Sequence, residues 1–252
     1  MDAVYRLRDG FVETSPNAAG PWDSTMQHGS SPAALNARIA EGAPGTGPMR
    51  LARITLDLMR PVPVDTLRYR IESIRQGRKI ELLQISLFAG ALEVVRATAL
   101  KVRPEESSPR SPATAHSSPE QGEPVSAFGE LACPFLEGMS LRRSRSTASV
   151  TWCYLERDIV EGEAPSPTMR AAVAADFCNG LSCPLDPAQW SFVNADLCLT
   201  MARVPVDAWI QIEAQTVLGT NGGGTAFARF ADSRGVFATA VQSLVIERRS
   251  PV

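Results

Sequence analysis

Two stretches of this chain carry a helical pattern. SPAALNARIAE runs from Ser31 to Glu41, and SPTMRAAVAAD runs from Ser166 to Asp176. Each opens with Ser-Pro and closes on a carboxylate. In each, the serine can cap a helix and the proline suits the first helical position, where no backbone N–H is needed. Ala33, Ala34, Leu35, Ala37 and Ala40 are good helix formers in the first. In the second, Ala171 to Ala175 make nearly every face apolar, the mark of a buried helix.

Elsewhere the period drops to two. In LRYRIESI, Leu67, Tyr69 and Ile71 fall on one face, and Arg68, Arg70 and Glu72 on the other. KIELLQISLFAG and EVVRATALKV follow as two further strands around a turn at Gly90. WIQIEAQTV, a glycine-rich turn from Gly219 to Gly224, TAFARFAD and VFATAVQSLVIER repeat that order in the second half. SVTWCYLER supplies a strand before the second helix.

The repetition holds residue by residue. Ser31 and Ser166 are offset by 135 residues, Arg60 and Arg203 by 143, and Pro63 and Pro205 by 142. Phe88 and Phe230, and Val94 and Val236, keep the offset of 142. Several ordered matches at a nearly constant offset indicate an internal duplication. Each unit is one helix with about four to five antiparallel strands. Helices do not alternate with strands, so helix-dominated and parallel α/β folds fit poorly and an α+β class is expected.

The segment from Pro104 to Pro124 is rich in Pro, Ser and Glu and has no hydrophobic period, which reads as a linker. The expected organisation is an N-terminal unit over 1–103, a linker over 104–125 and a C-terminal unit over 126–252. With 252 residues there is ample length for such a core.

Charge and composition narrow the partners. A formal net charge of -2 gives no electrostatic case for nucleic acid or an anionic membrane. The opening MDAVYRLRDGFVE is too polar for a signal peptide, and no apolar run approaches the ~20 residues of a membrane span. A cytoplasmic location follows as the expectation. The five cysteines are Cys133, Cys153, Cys178, Cys183 and Cys198, and none form CxxC. They read as free, mostly buried thiols, with neither disulfide framework nor metal site.

Four segments carry a resemblance. GPWDSTMQHGSSPAALNARIAE in the first half, and ADFCNGLS, FVNADLCLTMAR and ATAVQSLVIERR in the second, are similar to the acyl-CoA thioesterase II family, particularly its shorter actinobacterial-type members. The resemblance covers most of the chain. It implies a double hotdog, two tandem units each with a long helix wrapped by an antiparallel sheet. It also implies hydrolysis of an acyl thioester, no cofactor, and assembly as a homodimer or higher homo-oligomer. The family's catalytic group is an Asp on the long helix, a Thr or Ser at a strand start, and a Gln near the C-terminal strand. These positions fall on Asp176, Asn194 and Gln242, with an amide standing where the family has a hydroxyl.

In such a group, water is the nucleophile. Asp176 acts as base or orients the water, and the two amides position water or carbonyl. The chain has no GxSxG elbow, and of its two histidines His116 lies in the linker, so a Ser-His-Asp triad would have to use His28. His28 and Gly29, ahead of the first helix, are candidates for substrate binding, because glycine lets a backbone approach and a helix N-terminus favours a carbonyl oxygen or phosphate. Asn179 and Gly180 are further candidates, with a helix C-cap as their simpler role.

Structural readings stand beside these: a surface or cap residue for Asp176, a strand-start cap for Asn194, a hydrogen-bonded strand residue for Gln242, and a turn at His28. Glu41 is the first-half counterpart of Asp176, but the counterpart of Gln242 falls near Ala99 or Leu100, which is apolar. The expectation is one working site, in the second half, acting on an acyl-CoA or acyl-carrier thioester. Two other activities are compatible with the fold: a non-hydrolytic thioester-binding protein, and a hydratase. The second pairs an Asp with a His, which neither FCNG nor VNAD supplies. Gly222 to Gly224 read as a flexible hairpin rather than a phosphate loop, and Arg142, Arg143 and Arg145 as solvated surface.

Overall fold

A computed structural model of the chain describes residues 2–105, 118–125, 129–145, 147 and 149–249. Its first half holds β1 (Tyr5–Arg8), β2 (Phe11–Thr14), α1 (Ser30–Gly42), β3 (Arg50–Leu58), β4 (Leu67–Gln76), β5 (Ile80–Ala89) and β6 (Leu92–Val102). Its second half holds β7 (Gly122–Pro124), β8 (Met139–Ser144), β9 (Val150–Leu155), α2 (Pro167–Ser182), β10 (Trp190–Asn194), β11 (Asp196–Met201), β12 (Ile210–Leu218), β13 (Gly223–Asp232) and β14 (Gly235–Arg248).

Among the described residues the strands form one antiparallel sheet in the order β1-β2-β4-β5-β6-β3-β11-β14-β13-β12-β9-β8-β7, with β10 on β14. Read outward from its centre, β3-β6-β5-β4-β2-β1 on one side mirrors β11-β14-β13-β12-β9-β8 on the other. The seam is the β3–β11 pair, with Leu56 opposite Leu197 and Thr55 opposite Cys198. The duplication seen in the residue offsets is therefore a pseudo-twofold of the sheet.

The helices run antiparallel against each other inside the curl of this sheet, α1 over β3, β5 and β6, and α2 chiefly over β12 and β13. Alanine is what allows the close approach. Ala33, Ala34, Ala37 and Ala40 on α1, and Ala171, Ala172, Ala174 and Ala175 on α2, are all buried. Larger core side chains, among them Leu35, Ile54, Phe230 and Phe237, fill the space between helices and strands. Ion pairs tie the halves at the surface: Arg6 with Glu161, and Arg38 with Glu163.

Several local expectations change. α1 begins at Ser30 with Gly29 as its N-cap, so Ser31 does not cap it; the Ser31 hydroxyl donates to Ala18 O at 3.1 Å. Ser166 does cap α2, accepting from Met169 N at 3.1 Å. α2 continues past Asp176 to Ser182 with Cys183 as C-cap, so Asn179 and Gly180 lie within its last turns rather than beyond its end. In β4 the apolar face is buried at Leu67 but open at Ile71 and Ile74, since α1 packs on β3, β5 and β6 and leaves the far end of β4 uncovered.

The Pro/Ser-rich segment divides. Residues 106–117, with His116, lie outside the described residues, and Gly122–Pro124 pairs with β8 as a short edge strand. The cysteines are free thiols, buried at Cys133, Cys153 and Cys178. Burial pushes the Cys153 thiol up to about 12. No helix among the described residues is long and apolar enough to cross a membrane.

Candidate active site

The carboxylate of Asp176 is where the two halves meet. It sits in mid α2 and is only 7% exposed. Four side chains converge on it. Asn194 Nδ2 donates to Oδ1 at 3.0 Å, and Gln242 Nε2 lies 3.4 Å from the same oxygen. Ser30 Oγ donates to Oδ2 at 3.0 Å, and His28 Nδ1 lies 3.2 Å from it. The first pair comes from the second half and the second pair from the first half. Gly29 completes the enclosure: a Cβ built on it would stand 2.5 Å from Asp176 Oδ1. A glycine is required there by contact, not by backbone conformation.

Gln242 is fully buried on β14 and does not line the cavity described below. Its amide clasps the helix: Nε2 donates to Asp176 O at 3.1 Å, and Oε1 accepts from Asn179 N at 3.2 Å. It thus fixes the rotation of α2 at the turn that presents the carboxylate. Asn194 ends β10, opposite Leu244 of β14. The next residues are pinned in turn, with Ala195 N donating to Ser243 O at 2.9 Å and Ser243 N to Asp196 Oδ1 at 2.6 Å. Asn179 Nδ2 donates to Phe192 O at 3.2 Å.

His28 is held from several sides. Its backbone N–H donates to Ala18 O at 2.8 Å. Its ring stacks on Phe135 at 4.9 Å with an interplanar angle of 14°, and tilts against Phe177 at 5.6 Å. Nδ1 also lies 3.1 Å from the backbone N–H of Ser30, so the imidazole does for α1 what a side-chain cap would. The Asp-His pairing that FCNG and VNAD lack is therefore present, supplied from the other half by His28.

These groups open on a cavity of about 530 Å³, within the range of sites that enclose a small ligand. Its walls are mainly apolar and come from both halves, including Met26, Leu58 and Val62 from the first and Leu136, Leu181 and Phe192 from the second. His28, Gly29, Asp176, Asn179, Gly180 and Asn194 all line it. Trp22, edge-on to Phe192 at 5.1 Å, and Arg60 also line it, and the Arg249 guanidinium lies 6.0 Å over the Trp22 ring.

Other candidates fall elsewhere. Glu41 is exposed and accepts from Ser166 Oγ at 2.6 Å, the first-half echo of the Ser30–Asp176 bond without its amides. Gly219 to Gly222 make the β12–β13 hairpin turn, and Gly223 and Gly224 already belong to β13, with Gly224 opposite Leu218. Arg145 pairs with Glu123 at 3.1 Å, and Arg142 lies over Trp209. Cys178 neighbours Asp176, but burial first and the Asp176 charge second push its thiol up, which makes it a poor nucleophile. Ser30 was not among the sequence candidates. Its one sequence signal was adjacency to His28-Gly29.

Residues 18–102 match the family model of the acyl-CoA thioesterase N-terminal domain, and residues 104–246 that of the acyl-CoA thioesterase C-terminal domain. A search of curated proteins returned no match. Among solved structures, a provisionally assigned thioesterase II from Thermobifida fusca YX is similar at 17% identity and a TM-score of 0.76, over 98% of this chain and 96% of that one. A protein of unknown function with a hot dog fold from Alicyclobacillus acidocaldarius aligns at 13% identity and a TM-score of 0.73, over 100% and 98%. The acyl-CoA thioesterase II TesB2 of Mycobacterium marinum aligns at 10% identity and a TM-score of 0.70, over 98% and 95%. At these identities the structural likeness shows the hotdog fold alone. The two family models span both halves in order, and the chain belongs to the acyl-CoA thioesterase family.

Proposed function

We propose that the chain is a double-hotdog thioester hydrolase that cleaves an acyl-CoA-type thioester by water attack at the Asp176 group. The observation that carries this reading is the convergence of Asn194 and Gln242 on one carboxylate that lines a mainly apolar cavity. The apolar walls suit an acyl chain, whose transfer from water contributes about 0.8 kcal/mol per methylene buried. Asn194 takes the place of a hydroxyl: its Nδ2 is turned to Asp176 Oδ1 and Asp196 O, and its Oδ1 accepts from the water, while Gln242 positions Asp176 from behind. Gly29, at the start of α1, offers its backbone to the thioester carbonyl oxygen.

Further parts of the reading concern the carrier and assembly. Arg60 and the Arg249–Trp22 stack near the cavity suit the phosphates and base of coenzyme A rather than a neutral carrier. Phe227, Val241, Val193 and Val245 are exposed, and pair as Phe227–Val241 and Val193–Val245 across neighbouring strands, which supports a homodimer or higher homo-oligomer. A cytoplasmic location fits a coenzyme A substrate, with no cofactor needed for the chemistry. The test is thiol release from a panel of acyl-CoAs of graded chain length. Turnover that depends on Asp176 supports the reading. Tight binding without turnover points instead to a thioester-binding protein.

A further inference from the structure

Neither backbone nor packing requires glycine at Gly180. The residue stands within α2, which runs on to Ser182, and lacks the positive φ that would call for glycine. A Cβ built on it meets nothing within 4 Å, the reverse of Gly29, where contact forbids one. Glycine weakens a helix at such a position. What it leaves there is room, and the room belongs to the cavity, since Gly180 is exposed and lines it. At about 100° per residue, Gly180 falls between the directions of Asp176 and Phe177, one turn beyond them. Side chains on a helix tilt toward its N-terminus, so any side chain at 180 would lean back over that turn.

The turn of α2 before Asp176 is closed. Ser30 Oγ lies 3.3 Å from Val173 O as well as 3.0 Å from the carboxylate, so the start of α1 covers the helix there. Among the described residues, the cavity touches α2 only at Asp176, Phe177 and Asn179 to Leu181. A chain that runs from the carboxylate along α2 therefore crosses Gly180, about 6 Å further along the axis. The crossing is apolar. Phe177 and Leu181 line the cavity beside it, and Asn179 Nδ2 is turned to Phe192 O at 3.2 Å. Charge lies on another side: Arg60 follows the end of β3, where Leu58 N donates to Ala195 O at 2.9 Å beside Asn194. We infer that Gly180 is the specificity-determining residue of the site: the acyl chain crosses α2 over it, and its missing side chain sets how long a chain the cavity takes. This rests on the thioesterase reading and adds what that reading leaves open, the size of the acyl group. Short acyl groups end before Gly180, long ones pass over it, and the carrier leaves by the Arg60 side.

The experiment measures two quantities in the full chain and in Gly180→Ala, Gly180→Leu and Gly180→Phe, with thermal melts to report folding. The first is kcat/KM for thiol release from butyryl-, octanoyl-, lauroyl- and palmitoyl-CoA. The second is the Kd of S-alkyl-CoA thioethers of the same lengths, which bind but cannot be hydrolysed. Gly180→Leu should lower the ratio of kcat/KM for the longest chain the wild type accepts to that for butyryl-CoA by about 10–10²-fold. Gly180→Ala should shift it less and Gly180→Phe at least as much, and the thioether Kd values should follow the same order. Folded Gly180→Leu with the wild-type length profile would overturn the role of Gly180. So would an equal loss at every length, which would set the residue against the thioester or the carrier instead. A wild-type chain that binds the thioethers yet releases no thiol would overturn the hydrolase reading alone, and the Kd profile would still decide the role of Gly180. A chain that binds none of them would overturn both.

Discussion

Gly29 and Asp176 belong to opposite halves of the chain, yet no side-chain atom fits between the Gly29 backbone and the Asp176 carboxylate. The contact makes the start of α1 and the middle of α2 a single unit. Gly29→Ala should displace the carboxylate, costing about 1–3 kcal/mol of stability. A shift near 1 Å should also cost on the order of 10²-fold in turnover. Urea denaturation and acyl-CoA kinetics on the same preparation check both. An unchanged kcat would show that the approach has no bearing on the site.

Gln242 offers a different test, because it does not line the cavity. Gln242→Leu leaves Asp176 O and Asn179 N without their side-chain partner and should destabilise the fold by about 1–3 kcal/mol. It should lower kcat while leaving KM nearly unchanged, since substrate never touches it. Steady-state kinetics separate the two parameters, and a rise in KM alone would place Gln242 in binding instead.

Gly180 lies in α2 with nothing within 4 Å of where its Cβ would go. Gly180→Ala should therefore stabilise the chain by about 0.5–1 kcal/mol through helix propensity alone. A chemical melt at neutral pH measures it, and a loss of stability would mean that the helix is not continuous through this turn.

Asp232 tests the electrostatics of the second half. Burial would raise its carboxyl, but hydrogen bonds from Arg203, Val206 N and Arg234 N, with the Arg203 charge, outweigh it and hold the group below its ordinary 3.8. A lowered folded value means that its stabilisation is complete above about 3.8 and fades as pH falls through the folded value. Asp232→Asn leaves Arg203 without its ion-pair partner and should cost about 3 kcal/mol at pH 7. The deficit should shrink in strong acid. Denaturation at pH 7 and pH 3 checks the sign, and a deficit growing in acid would contradict it.

How much of this was legible before folding depends on which contacts are local to one half. Asp176, Asn194 and Gln242 were readable as a group because all three lie in the second half and their motifs carry the family resemblance. The end of α2 was misread at Asn179-Gly180. That pair has the chemistry of a C-cap, but Gln242 and the carbonyl of Phe192 supply partners that let the helix run on to Ser182. The His28–Asp176 and Ser30–Asp176 contacts span 148 and 146 residues of sequence. They exist only because the two helices pack antiparallel, which no local pattern encodes. The duplication was plain in the offsets, but its consequence, that the silent half would lend side chains to the active one, was not.

The central claim is that thioester hydrolysis occurs at Asp176, and single-turnover release of free thiol from an acyl-CoA, with excess enzyme, tests it most directly. Asp176→Asn preserves the shape beside Gly29 while removing the charge that His28, Ser30, Asn194 and Gln242 surround. The account predicts that the wild-type chain releases one equivalent of thiol and that Asp176→Asn slows this by at least about 10²-fold without loss of fold. Release at the wild-type rate by folded Asp176→Asn would contradict it.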